Sequence, residues 1–178
     1  MPSITALLHT ENDAPRLGRC LETLYPCDSI VIVDHESSDG TPRLAREYGA
    51  LVFPAGRHSR PGPGSWWRAA IPSGNRSDPG PRNRDIPFLP GWILCLDPRE
   101  SVSESLAASL FELKSQPVAD PLPFSLFLRE ETADGWVQHP AALTRLVPPT
   151  WQAWEEHFPQ AAVSALVLEG DLLRFVFP

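Results

Sequence analysis

The chain is short of several residue types, and each shortage narrows what it can be. Its 178 residues include one lysine (Lys114), one methionine and two tyrosines. The three cysteines, Cys20, Cys27 and Cys95, are an odd number without the paired spacing of a metal knuckle or a disulfide framework. Cys20 and Cys95 fall inside apolar patterns and read as small core residues. No segment approaches the roughly 20 apolar residues of a membrane-spanning helix. Met1 to Leu8 lacks both the basic start and the apolar length of a signal peptide. A cytoplasmic protein is expected, with peripheral contact at the inner face of a membrane left open. Positive charge is scarce: 15 basic residues face 22 acidic ones, and the formal net charge of −7 argues against nucleic-acid binding.

What the chain does have is concentrated between Ser29 and Thr41. Ile30 to Val33 is an unbroken β-branched run, the signature of a strand buried on both faces of a parallel sheet. It stops at Asp34, so the first charge stands at the carboxyl end of the strand. A turn closing on Asp39, Gly40 and Thr41 leads into a helix with Leu44, Ala45 and Tyr48 on one face. Asp39 is placed to cap that helix. Ligands of open α/β sheets bind beyond the carboxyl ends of the strands, so Asp34 and its loop mark the expected site.

On either side the order is regular. Ser3 to Leu8 predicts a first strand. A polar loop, His9 to Asp13, then leads to a helix from Ala14 to Tyr25, capped by Asp13 and started by Pro15. Leu51 to Phe53 predicts a third strand, completing βαβαβ with short connections. Prolines and glycines from Pro54 to Pro90 forbid a long helix or central strand. Arginines outnumber acids there, and Trp66-Trp67 reads as a local apolar cluster. Trp92 to Leu96 predicts a fourth buried strand, again ending on an acid, Asp97. Ser101 or Ser103 would cap a helix through Leu113. Beyond Pro117 the pattern is more antiparallel: strands from Pro123 to Arg129 and Ala141 to Val147 around a turn at Asp134-Gly135. A Trp-rich helix from Thr150 to His157 and a last strand from Leu172 to Phe177 are expected. His9, His35 and His58 read as polar loop residues.

Several short motifs then line up. Thr10-x-Asn12-Asp13, Arg19-Cys20-Leu21, Val33-Asp34-x-x-Ser37-Ser38-Asp39-Gly40-Thr41 and Ala45-Arg46-Glu47-Tyr48-Gly49-Ala50 are followed by Arg82-Asn83 and by Trp92-Ile93-Leu94-Cys95-Leu96-Asp97. In this order and spacing they resemble family 2 glycosyltransferases of the GT-A fold, nearest the branch acting in lipopolysaccharide core biosynthesis. The resemblance is strong over residues 3–53 and 82–113 and weak over 121–178. It implies an α/β class with a Rossmann-like mixed sheet flanked by helices, in a single domain over residues 1–178. Residues 1–53 and 82–113 would be the nucleotide-binding part, 54–90 a mobile Pro/Gly/Arg-rich loop, and 121–178 the acceptor side.

The implied chemistry is transfer of a sugar from a nucleotide-diphosphate donor to a glycan or lipid-linked saccharide. A divalent cation, Mn²⁺ or Mg²⁺, would bridge the diphosphate to an Asp-x-Asp motif as a Lewis acid. By this resemblance Asp34 faces the base, with Thr10, Asn12, Asp13, Ser37 and Asp39 around the nucleoside. Arg82 and Asn83 approach the sugar and phosphates, and Asp97 and Glu100 are the metal ligands. A base among Glu155, Glu156 and His157 serves the acceptor. One departure matters most: the motif reads Asp97-Pro98-Arg99-Glu100, so an arginine stands where the second aspartate would. Either Glu100 substitutes as a ligand, or Arg99 binds the diphosphate in place of the cation. The alternative is a catalytically impaired scaffold that binds a nucleotide or a partner. A nucleotidyltransferase is disfavoured, because a glycine-rich phosphate loop is missing after the first strand.

Overall fold

In the computed structural model, residues 2–55, 91–116 and 122–177 are described. Their apolar runs become the strands β1 (Ser3–Thr10), β2 (Ser29–Asp34), β3 (Leu51–Pro54) and β4 (Gly91–Leu96). Helices α1 (Ala14–Glu22) and α2 (Thr41–Glu47) connect the first three strands. Next come β5 (Glu100–Val102), α3 (Glu104–Ser115), β6 (Phe124–Thr132), β7 (Gly135–Gln138) and β8 (Leu143–Val147). A short ribbon, β9 (Trp154–Glu155) and β10 (Phe158–Pro159), precedes β11 (Leu166–Arg174). One nine-stranded sheet runs β3-β2-β1-β4-β8-β6-β11-β5, with β7 on the flank of β6. The β3-β2-β1-β4 half is parallel, and β8 joins β4 antiparallel. The α/β class with a mixed sheet flanked by helices is therefore the one expected.

Side-chain alternation sorts the sheet into two faces. Ile4, Ala6, Leu8, Ile32, Leu94 and Leu96 join the apolar stripes of α1, α2 and α3 in the larger core. Leu7, Val31, Val33, Ile93 and Cys95 point to the other face and meet Val147 and Trp154 in a smaller one. β1 and β4 are interior strands of the sheet, and β4 is buried along its whole length. Such burial is what continuous apolar runs predict.

Several local expectations change. No helix forms over 150–157. Trp154 is buried in the smaller core, its indole N–H bonds to the Trp151 carbonyl, and Glu156 adopts φ 49° to turn β9 into β10. The tryptophans that mimic a helical stripe are anchoring a tight ribbon to the sheet. Helix α1 stops at Glu22 rather than Tyr25, because Thr23 caps it: its hydroxyl bonds to the Cys20 carbonyl and receives the Val102 N–H. The hairpin at Asp134-Gly135 joins β6 to the separate strand β7, not to β8. The final strand begins at Leu166, before Leu172. Its alternation is broken between Val167 and Asp171, where Gly170 sits at φ 101°. Ser103 is the cap of α3, its hydroxyl accepting from Leu106. Among the described residues no helix is long and apolar enough to cross a membrane.

Candidate functional site

The parallel register brings three strand ends together. Thr10 pairs with Asp34 across β1 and β2, while Leu8 pairs with Leu96 on the other side of β1. Asp34 and Asp97 thus flank the end of β1, two strand spacings or about 10 Å apart along the edge. The adjoining loops carry Asn12 and Glu36, both at φ 56°. Left-handed backbone outside glycine is a recurrent mark of functional loops.

Asp34 is buried and fixed by its own loop. Oδ1 accepts from the Thr10 hydroxyl at 3.0 Å and the Ser37 hydroxyl at 2.6 Å, and Oδ2 accepts from the Ser37 N–H at 3.1 Å. A carboxylate offers about four lone-pair positions, so three bonds leave room for roughly one more donor. Asn12 ties the two loops together: its N–H donates to the Ser37 hydroxyl, and its Oδ1 accepts from the Ser38 N–H.

Gly40, not Asp39, is the N-cap of α2, but the Asp39 carboxylate still accepts from the first N–H of two helices. Oδ1 accepts from the N–H and hydroxyl of Thr41 at the start of α2, and Oδ2 accepts from the Ala14 N–H at the start of α1. Those bonds hold its carboxyl below the usual range, the Thr41 hydroxyl contributing most. Asp13, expected to cap α1 through its side chain, accepts instead from the Glu11 N–H. Burial, with the neighbouring Asp97 charge, raises the Asp13 carboxyl. Asp13 and Asp97 therefore sense one another across the edge.

At the end of β4 the acids are already engaged. Asp97 Oδ1 receives the N–H and Nε of Arg99 at 2.9 and 2.8 Å, and Oδ2 receives Nη2 at 3.1 Å. Burial acts to raise Asp97, but the hydrogen bonds and charge of Arg99 prevail and hold it below the ordinary carboxylate range. Glu100, expected as a metal ligand, is fully buried. Its Oε2 accepts from the Asp97 N–H at 2.9 Å, and its Oε1 from Arg145 at 3.0 Å and Arg174 at 2.7 Å. Arg174 also reaches Glu130, so the cluster of two acids and two arginines is neutral overall. As placed, this donor set does not fit a divalent ion: Arg99 occupies Asp97, and Glu100 is a structural counter-ion.

The acceptor-side residues lie on the ribbon. Glu155 and Glu156 are exposed, and His157 is partly buried. The His157 ring stacks on His9, with centroids 3.9 Å apart, and His9 Nδ1 lies 2.8 Å from His35 Nε2. His9 and His35, expected as polar loop residues, are thus part of a three-histidine cluster that sequence reasoning missed. The sequence signal was alternation: both continue the face of Leu7, Val31 and Val33. Arg82, Asn83, His58, Trp66-Trp67 and the mobile loop expected from 54 to 90 fall on or run into residues outside those described.

No family model matches this chain. A curated relative, the lipopolysaccharide core biosynthesis glycosyltransferase LpsC of Rhizobium meliloti, is 42% identical over 45 residues, covering 25% of this chain and 17% of its own. Among solved structures, S. aureus TarS is similar at TM-score 0.40 and 19% identity, over 73% of this chain and 21% of that one. Mannosyl-3-phosphoglycerate synthase from Rubrobacter xylanophilus is similar at TM-score 0.42 and 21% identity, over 72% and 39%. The chain thus spans about a sixth of the curated relative, and less than half of either structure. Structural likeness of this degree speaks to neither ligand nor activity.

Proposed function

We propose that the chain is glycosyltransferase-like and transfers a sugar from a nucleotide-diphosphate donor to a glycan or lipopolysaccharide-type acceptor, a lipid-linked saccharide included. The observation that carries this reading is the buried Asp34 carboxylate, held by Thr10 and Ser37 with one acceptor position left at the carboxyl edge of adjacent parallel strands. That geometry suits the single ring N–H of a nucleobase. The short identity with LpsC supports the acceptor class.

In this reading Thr10, Asn12, Asp13, Ser37 and Asp39 shape the nucleoside pocket, and Arg82 and Asn83 serve the sugar and phosphates. Asp97 orients Arg99, whose guanidinium meets the diphosphate and offsets the charge developing on the leaving group. The acceptor proton goes to a carboxylate on the ribbon turn, Glu155 or Glu156. Access to a lipid-linked acceptor would place the protein peripherally at the inner face of a membrane.

Calorimetric titration with UDP and GDP, each with and without Mn²⁺, tests the proposal. The expected result is binding of one nucleotide, little changed by Mn²⁺ and lost in Asp34→Ala and Arg99→Ala. Binding that strengthens with Mn²⁺ would return Asp97 to the role of metal ligand. Absence of binding to either nucleotide would overturn the donor reading.

A further inference from the structure

Three imidazoles converge on the sheet face opposite the Asp34 carboxylate. His9 follows Leu7 by alternation and His35 follows Val33, so both project towards the smaller core, where Trp154 seats the ribbon. His157 descends from the ribbon turn. One ligand nitrogen from each lies within 4.8 Å of the others, and all three side chains are partly buried. The ring centroids of His35 lie 5.1 Å from those of both His9 and His157.

We propose that His9, His35 and His157 form a site for a divalent transition-metal ion of the zinc class, separate from Asp97 and Glu100. The donor set decides the class. Three imidazole nitrogens suit Zn²⁺, Co²⁺, Ni²⁺ or Cu²⁺, whereas Mg²⁺ and Ca²⁺ require oxygen ligands. With zinc–nitrogen bonds near 2.0–2.1 Å, tetrahedral ligands stand about 3.3 Å apart. His9 Nδ1 and His35 Nε2 already stand 2.8 Å apart, and the His157 ligand atom lies within 4.8 Å of both.

The surroundings suit a metal. His9 belongs to β1, and His35 follows β2 directly, its N–H bonded to the Thr10 carbonyl at 2.8 Å. The ribbon is held by buried Trp154 and by Arg145, which lies 3.9 Å over the Phe158 ring. Glu36 and Glu156, each next to a histidine, are held at φ 56° and 49°. Burial pushes His9 down to about 2 and also lowers His157. Imidazole ligates in its neutral form, and burial favours that form at His9 and His157. Three protein ligands leave a fourth position for water or a substrate oxygen.

The test is a cobalt titration of the untagged, chelator-treated full chain in the absence of nucleotide. One equivalent of Co²⁺ should develop visible d–d absorption, and one equivalent of Zn²⁺ should displace it, while Mg²⁺ should not. His157→Ala and His35→Asn should each weaken binding by about 100-fold or more, the scale set by supporting partners of metal ligands. Both variants should keep their circular dichroism, and Asp97→Asn should bind as the parent does. Absence of stoichiometric binding, binding that survives both histidine substitutions in folded protein, or binding lost in Asp97→Asn would overturn the site. Nucleotide titration succeeds or fails independently of this result.

Discussion

Glu100 shows how much can rest on one side chain. A carboxylate with no solvent access is tolerable only when its charge is matched and its oxygens are bonded, and Arg145 and Arg174 meet both needs. Arg145→Met keeps the apolar stem but leaves one arginine to the cluster. It should cost about 3 kcal/mol, near the lower end for breaking a buried pair, read as a lower urea midpoint at pH 7. The histidines supply a second residue-scale prediction, for chelator-treated protein. His9 is depressed in the folded state to about 2, against an ordinary 6.5. Below pH 6.5 the unfolded chain takes up a proton that the folded one refuses, so stability is full above that pH and falls as pH drops. The slope from His9 approaches about 1.4 kcal/mol per pH unit, and His157 acts in the same direction. Denaturation midpoints from pH 7 to pH 5 should trace this decline, and His9→Gln should flatten it. These residues also mark where the sequence is opaque. Glu100 directly after Arg99 reads as part of a metal motif, and its true partners lie 45 and 74 residues downstream.

At the scale of elements, legibility followed the kind of pattern available. Strands β1, β2 and β4 were readable because both faces are buried, and an unbroken apolar run has few other uses. The Asp34 loop was readable because the site lies inside one βα connection. The ribbon was not: two tryptophans three apart imitate a helical stripe, and only packing on β4 and β8 reveals a hairpin. The late strand β11 was obscured by the break at Gly170. There the backbone φ is 101°, and an added Cβ would stand 2.2 Å from the Leu106 N and 2.5 Å from its Cα, both backbone atoms of α3. Gly170→Ala therefore combines left-handed strain with a steric clash and should lose about 2–4 kcal/mol, the range of the larger single-site effects, seen as a lower thermal midpoint. Ser103→Ala removes the α3 cap, whose hydroxyl also accepts from Asp171, and should cost about 1 kcal/mol.

For the molecule as a whole, the sheet divides the work. Its parallel half presents Asp34, Asp97, His9 and His35 at one edge, the ribbon adds His157, and the mixed half supplies the arginines that fix the end of β4. The Glu100 cluster spans β5, β6, β8 and β11, so the two halves meet just behind Asp97. The whole-molecule prediction concerns salt. If Arg99 meets the diphosphate, raising ionic strength should weaken nucleotide binding in the parent more than in Arg99→Gln, because an exposed guanidinium is screened. Equal salt dependence in titrations of the two proteins would remove Arg99 from that contact.

The same geometry has a bearing on descent. Glu100 and Glu130 are tied to Arg145 and Arg174 in one neutral knot, so a lineage that loses one member is left with an uncompensated charge. The four positions should change together among relatives or not at all. Arg99 is tied to Asp97 alone, within its own turn, and can be exchanged without disturbing that knot. Variation in how this edge handles phosphate should therefore accumulate at position 99 first.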